Sequence, residues 1–204
     1  MIAKKIIASI TESFKEYIQK GLFSRDFIGP DQEYYAGGRC HSRVLGLIIQ
    51  CLLRLGFYVD VERSIYFHTP KINGKRRMNK FRPDITAVDP ADHIIGIIEY
   101  ETIDATREHL LHKIDYFKRS LPANLSIKFV LFITTLPTLT KRPNTWIEKN
   151  RSTLVEPLTN KFIQLSSSFP EVEFVFAYLN EDGIYLNLII NGVIKEKQKN
   201  KIFK

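Results

Sequence analysis

Apolar residues recur at spacings of three and four near the start of the chain. Ile6, Ile7, Ile10, Phe14, Tyr17 and Ile18 share one stripe, and Gly21 closes it, which predicts an amphipathic helix over residues 2–20. Residues 22–38 read as irregular, broken by Gly29-Pro30 and Gly37-Gly38. A second helix is expected from Arg39 to Leu55. It is apolar around most of its circumference, interrupted mainly by Arg43, Gln50 and Arg54, so it should be mostly buried. The period then changes to two. Phe57 to Phe67 places Val59, Val61, Ile65 and Phe67 on one face of a predicted strand. After a basic loop, strands are expected at Asp84–Val88 and Ile94–Glu101, joined by the turn formers Asp89-Pro-Ala-Asp-His93.

A helix should follow, capped by Thr102 or Asp104, with Leu110, Ile114 and Phe117 as its inner stripe and Pro122 after its end. Ile127 to Thr134 is continuously apolar, as in a strand buried on both faces. A helix over about 144–167 contains Pro157, which should kink or split it. Strands at Val172–Leu179 and Ile184–Ile190 flank Asn-Glu-Asp-Gly, a hairpin turn. The order predicts an α/β fold with a mixed sheet. Three strands form a meander, and the helix after them crosses over to a parallel strand.

The 204 residues suit one domain, and 44% hydrophobic with 25% charged residues is an ordinary globular balance. Disordered, coiled-coil and collagen-like chains are excluded. The longest apolar run, Val44–Leu53, contains Gln50 and is too short for a spanning helix, and the N-terminus lacks the form of a signal peptide. An intracellular protein without a membrane partner is expected. Cys40 and Cys51 on one helix would lie about 16 Å apart, too far for a disulfide, and no metal spacing surrounds them. Both read as buried thiols.

Charge adds a partner. The net charge is +8, and no acid lies between Arg63 and Pro83. Residues 71–82 hold six cations in twelve positions: Lys71, Lys75, Arg76, Arg77, Lys80 and Arg82. The C-terminal tail adds Lys195, Lys197, Lys199, Lys201 and Lys204 against Glu196. Such stretches attract nucleic acid by releasing its counterions. The tail also reads as a solvated end that serves solubility alone.

Acids return just after the basic window. A hairpin centred between Ala91 and Asp92 sets Asp84 opposite Glu99 and Val88 opposite Ile95. Directly opposed side chains share a face at about 5 Å, and Glu101 shares that face with Glu99. Three crowded carboxylates are costly unless a divalent cation offsets them. Carboxylates, waters and a substrate phosphate are what Mg²⁺ prefers, and a bound metal polarises a phosphodiester. A metal-dependent phosphodiesterase beside a cationic loop is the reading from the residues alone.

Phe81-Arg-Pro-Asp84 followed by Ile97-Ile-Glu99-Tyr-Glu101 resembles the PD-(D/E)xK nuclease superfamily, which includes restriction endonucleases and Holliday-junction resolvases. Pro83-Asp84 matches the PD, Glu99 the second acid, and Glu101 stands in place of lysine, an ExE variant. The resemblance covers about 39–135, roughly half of the chain, as a restriction-endonuclease-like αβββαβ core. Residues 1–38 would be an N-terminal helical extension. Residues 136–204 would be a C-terminal elaboration, a helix plus a β-hairpin, within one domain spanning 1–204. The resemblance implies a Mg²⁺- or Mn²⁺-dependent deoxyribonuclease. Asp84 and Glu99 would hold the metal, the Tyr100 carbonyl would add a ligand, and Glu101 would act as base or second-metal ligand. Lys75, Arg76, Arg77, Lys80 and Arg82 would grip DNA phosphates, and a homodimer would follow by analogy.

Two departures matter. The missing lysine leaves Lys80 and Lys113 as substitutes. No acid lies on the first core helix, which leaves Glu62 or Glu33. His41 is a further candidate at the start of that helix. His109 and His112, three apart, are metal candidates, but read better as surface histidines. Tyr34, Tyr35 and Trp146 are candidates for base stacking. The rival function is a nuclease fold that binds DNA or assembles without cutting; a protein-interaction domain is another.

Overall fold

The two hydrophobic periods sort the chain into helices and strands much as expected. The computed structural model describes residues 1–19, 38–68, 78–102, 107–123, 126–135, 144–180 and 183–201. Helices α1 (Ile2–Gln19) and α2 (Gly38–Arg54) come first. Five strands follow: β1 (Tyr58–Val61), β2 (Ile65–His68), β3 (Met78–Phe81), β4 (Ile85–Val88) and β5 (Ile94–Thr102). Then come α3 (Arg107–Ser120), a 3-10 turn (Leu121–Ala123), β6 (Phe129–Thr135) and α4 (Asn144–Ser168). The last strands are β7 (Glu173–Asn180), β8 (Gly183–Ile190) and β9 (Val193–Lys201).

Seven strands make one mixed sheet in the order β1-β4-β5-β6-β7-β8-β9, and β2 with β3 makes a separate antiparallel ribbon. β5, β6 and β7 are mutually parallel; every other neighbour is antiparallel. Two layers cover the sheet. Ile6, Ile10 and Phe14 of α1 and Ile48 and Leu52 of α2 pack on Ile98, Tyr100, Leu131, Ile133 and Leu186. Leu110, Ile114 and Phe117 of α3 and Leu158, Phe162 and Leu165 of α4 pack on Ile97, Val130, Phe132, Phe174 and Phe176. This explains the continuous apolar run of β6: alternate residues enter opposite cores. Phe162 anchors the second core, with its ring 5.5 Å from Phe132 and from Phe176. Among the described residues, no helix is long and apolar enough to cross a membrane.

Several expectations need correction. The strand expected over 57–67 is two strands in different sheets. Glu62 adopts φ 54°, a left-handed conformation uncommon outside glycine, and turns the chain out of the sheet. Its N–H bonds to the Asp84 carbonyl at 3.1 Å, while Arg63 ties Asp60 to Asp92 at 2.8 Å each. Val61 is therefore 58% exposed rather than core. Part of the expected basic loop is strand β3, which pairs Lys80 with Tyr66. Helix α2 buries one side only, leaving Leu53 54% exposed. Helix α4 is not split at Pro157 but continues through it as one helix.

The β4–β5 register matches the expected sum at three pairs: Ile85 with Ile98, Thr86 with Ile97, and Ala87 with Gly96. A bulge then pairs Val88 with Ile94 instead of Ile95. The turn is held by Asp89, whose side chain accepts the N–H groups of Ala91 and His93 at 2.9 Å, and Asp92 supplies φ 65°. Finally, the lysine-rich tail as far as Lys201 is strand β9, so the C-terminal elaboration is a three-stranded meander beyond α4 and not a single hairpin, and Lys204 lies outside the described residues. Asn191 and Gly192, at φ 49° and 71°, form the two-residue loop between β8 and β9.

Candidate active site

β4 begins one residue after Asp84, so β5 runs past its neighbour from Glu99 to Thr102. The Tyr100 N–H that would otherwise lack a ladder partner on this side donates to Asp84 Oδ2 at 2.9 Å. The register continued by one residue brings Asp84 opposite Glu99, as the sequence predicted. Glu99 and Ile97, two residues apart, share the sheet face that α3 and α4 cover.

Glu99 is fully buried. Its Oε2 accepts from Lys113 Nζ at 3.3 Å, while its Oε1 is buried without a hydrogen-bond partner. Glu101 Oε1 lies 2.9 Å from the same ammonium, with the side chain 17% exposed. Lys113 stands beside the Leu110–Ile114–Phe117 stripe of α3, so its stem crosses apolar surface and its head reaches the acids. Burial, and then the Asp84 carboxylate, push Glu99 well above the ordinary carboxylate range, against the pull of Lys113. Burial opposes the Lys113 ammonium, but the charge of Glu99 and the hydrogen bond to Glu101 outweigh it and hold that group above the ordinary lysine range.

The expected trio of carboxylates is thus rearranged. Asp84 and Glu99 come together, but Glu101 is drawn to Lys113, and among the described residues no group of three or more His, Cys, Asp or Glu side chains is gathered to hold a metal. The donor set that remains still fits a hard cation. Two carboxylates converge, one of them with a buried oxygen lacking any donor, and oxygen ligands are what Mg²⁺ and Mn²⁺ take.

The other candidates separate. Glu62 is 66% exposed at its side chain, which pairs with Arg82 at 3.5 Å, while its N–H bonds to the Asp84 carbonyl. Lys80 is exposed on β3, so of the two lysine candidates Lys113 is the one that reaches the acids. Lys75, Arg76, Arg77, Glu33, Tyr34 and Tyr35 lie outside the described residues, as do the side chains of Cys40, His41, His109 and Trp146. His112 is exposed, its ring 4.9 Å from that of Tyr116. Cys51 is the buried thiol expected, bonded to Ser13 Oγ at 3.2 Å.

Sequence reasoning missed Thr134. It pairs with Glu101 across the parallel β5–β6 register, and its buried hydroxyl lacks a partner. Its only signal is its place as the first polar residue closing the apolar run of β6. Comparison with family models, curated proteins and solved structures finds no match.

Proposed function

We propose that the chain is a metal-dependent nuclease of the PD-(D/E)xK type that hydrolyses DNA. The observation that carries this reading is the buried, unpartnered Glu99 oxygen beside Asp84, with Lys113 between Glu99 and Glu101. The segment α2-β1-β4-β5-α3-β6 supports it, since it follows the αβββαβ order of that superfamily with the β2–β3 ribbon inserted.

Asp84 and Glu99 would hold Mg²⁺ or Mn²⁺, which when bound polarises the phosphodiester and acidifies a water. Asp84 is fixed by the Tyr100 N–H, so its carboxylate is oriented before any ligand arrives. Glu101, partly exposed and held by Lys113, takes the proton of the attacking water. The Lys113 ammonium, on α3, supplies the cation that Glu101 displaces from the usual lysine position. Lys80 and Arg82, both exposed and shortly before Asp84 in the chain, would contact phosphates and position the strand.

A second reading, a nuclease fold that binds DNA without cutting it, is favoured by one observation: Lys113 already pairs with both glutamates. Cleavage of duplex, branched and single-stranded DNA in Mg²⁺ and in Mn²⁺ separates the two. The nuclease reading expects metal-dependent cutting that Asp84→Ala abolishes while binding persists. Absence of cutting on every substrate, with salt-sensitive binding retained, overturns it in favour of the second reading.

A further inference from the structure

The sheet face under α4 changes character toward the carboxyl ends of the parallel strands. Strand register defines two rows there. Glu99, Phe132, Phe176, Asn187 and Lys197 are successive neighbours in one row. Glu101, Thr134, Tyr178, Tyr185 and Lys199 form the next. Each row begins at an acid of the candidate active site and ends at a lysine of β9. Carboxyl ends of parallel strands are where open α/β sheets bind ligands.

At the lysine end lies a cavity of about 740 Å³, roofed by Thr159 and Asn160 of α4 and floored by Tyr185, Asn187, Lys197 and Lys199. The Tyr178 and Tyr185 rings stack at 4.8 Å and 5°, and Lys199 Nζ lies 5.0 Å from the Tyr185 ring centre. Both faces of Tyr185 are therefore occupied, so that ring is closed to a stacking nucleobase. Among the described residues the wall carries tyrosine hydroxyls, side-chain amides and two ammoniums, against one acid, Glu156, while the Thr159 hydroxyl donates to the Val155 carbonyl at 2.7 Å. Donors of this kind suit phosphate oxygens. Lys197 and Lys199 are two residues apart on an exposed strand, about 7 Å along it, comparable to successive phosphates of an extended strand. A cleft walled by α4 and floored by β8 and β9 receives a single backbone more readily than a duplex.

We propose that this cavity is a second nucleic-acid contact, holding backbone phosphates of an unpaired strand. β9 lies four strand spacings from β5, about 19 Å, so the bound phosphates sit a few nucleotides from the one at Asp84 and Glu99. The inference shares with the proposed function the premise that the ligand is nucleic acid, but it concerns binding and not cutting.

The test uses the full chain carrying Asp84→Ala, so that the probe stays intact, and a fluorescein-labelled twelve-nucleotide oligo-dT followed by anisotropy across a salt series. Lys197→Gln with Lys199→Gln should weaken binding about tenfold at moderate salt and lower the slope of log affinity on log salt by about 1.4, two contacts at roughly 0.7 each. Tyr185→Phe, which keeps the stacked ring, should weaken binding about threefold through loss of one donor. Unfolding midpoints equal to the parent's establish that the variants are folded. Unchanged affinity and slope in the double variant overturn the proposal. So does binding of thymidine monophosphate as tight as that of the oligonucleotide. If the wild type cuts DNA but the lysine variants bind normally, this site falls and the nuclease reading stands. If nothing is cut but the lysine variants lose affinity, the site stands and the nuclease reading falls.

Discussion

Lys113→Met isolates the electrostatic centre of the candidate site. At 3.3 Å from Glu99 and an effective dielectric of roughly 20, the gross attraction is about 5 kcal/mol. Much of it offsets the desolvation of a lysine only 21% exposed and a glutamate wholly buried. Breaking a buried pair from one side costs roughly 3–5 kcal/mol. Two escapes reduce that here: Glu99 takes up a proton, for which burial and Asp84 have already primed it, and Glu101, at 17% exposure, turns toward water. The expected loss of unfolding free energy is about 2 kcal/mol, measured by urea denaturation with a chelator at neutral pH. In a Glu99→Gln background there is no buried charge to strand, and the same change should cost about 1 kcal/mol or less. The coupling between the two positions is then about 1 kcal/mol, well above the scatter for independent sites. Equal losses in both backgrounds would refute the view that Lys113 serves Glu99, leaving it as a partner of Glu101 alone.

Other outcomes follow from the same coordinates. Because the Glu99 pKa is raised above its usual 4.5, its favourable contribution is complete below that value and is lost as pH rises through the folded pKa. With chelator present, wild type should therefore lose stability relative to Glu99→Gln as pH rises above 4.5; a difference that stays flat in the two urea midpoints across the pH series would refute this. Gly96→Ala should destabilise by about 3 kcal/mol or more, since the new Cβ would fall 2.1 Å from the buried Phe129 ring, and a neutral thermal melt would contradict that packing. Phe162→Ala, which empties the centre of the α3–α4 core, should cost roughly 3–5 kcal/mol by denaturant titration.

The parts of the fold that local periodicity encodes were legible in the sequence. The α1 stripe, the doubly buried β6 and the β7–β8 hairpin all rest on residues within one element or one turn. The pairing of Asp84 with Glu99 was legible for the same reason: a hairpin register follows from its turn, and only the bulge at Val88 lay beyond that arithmetic. What stayed hidden depends on contacts across distant segments. The break at Glu62 is held by Asp84 and by Arg63 reaching Asp92, none of which leaves a mark on the alternation of residues 57–67. Lys113 was readable only as one of two candidates, because choosing it over Lys80 requires knowing which helix lies over β5.

The tail is a different case, since its signal was present and outweighed. Asn191-Gly192 is the dipeptide that a two-residue hairpin loop demands, and it follows directly on the apolar strand β8. The density of lysines after it reads as solvent-seeking charge, and charge alone does not distinguish a free end from an edge strand. Edge strands favour lysine because it blocks further pairing. The pattern within the run settles the matter physically. Glu196 faces α1, where Lys4 pairs with it at 2.8 Å, while its neighbours Lys197 and Lys199 line the cavity on the opposite face. An alternation that puts an acid on one side of a strand and lysines on the other places those lysines where they can take part in binding, and the oligonucleotide titration measures whether they do.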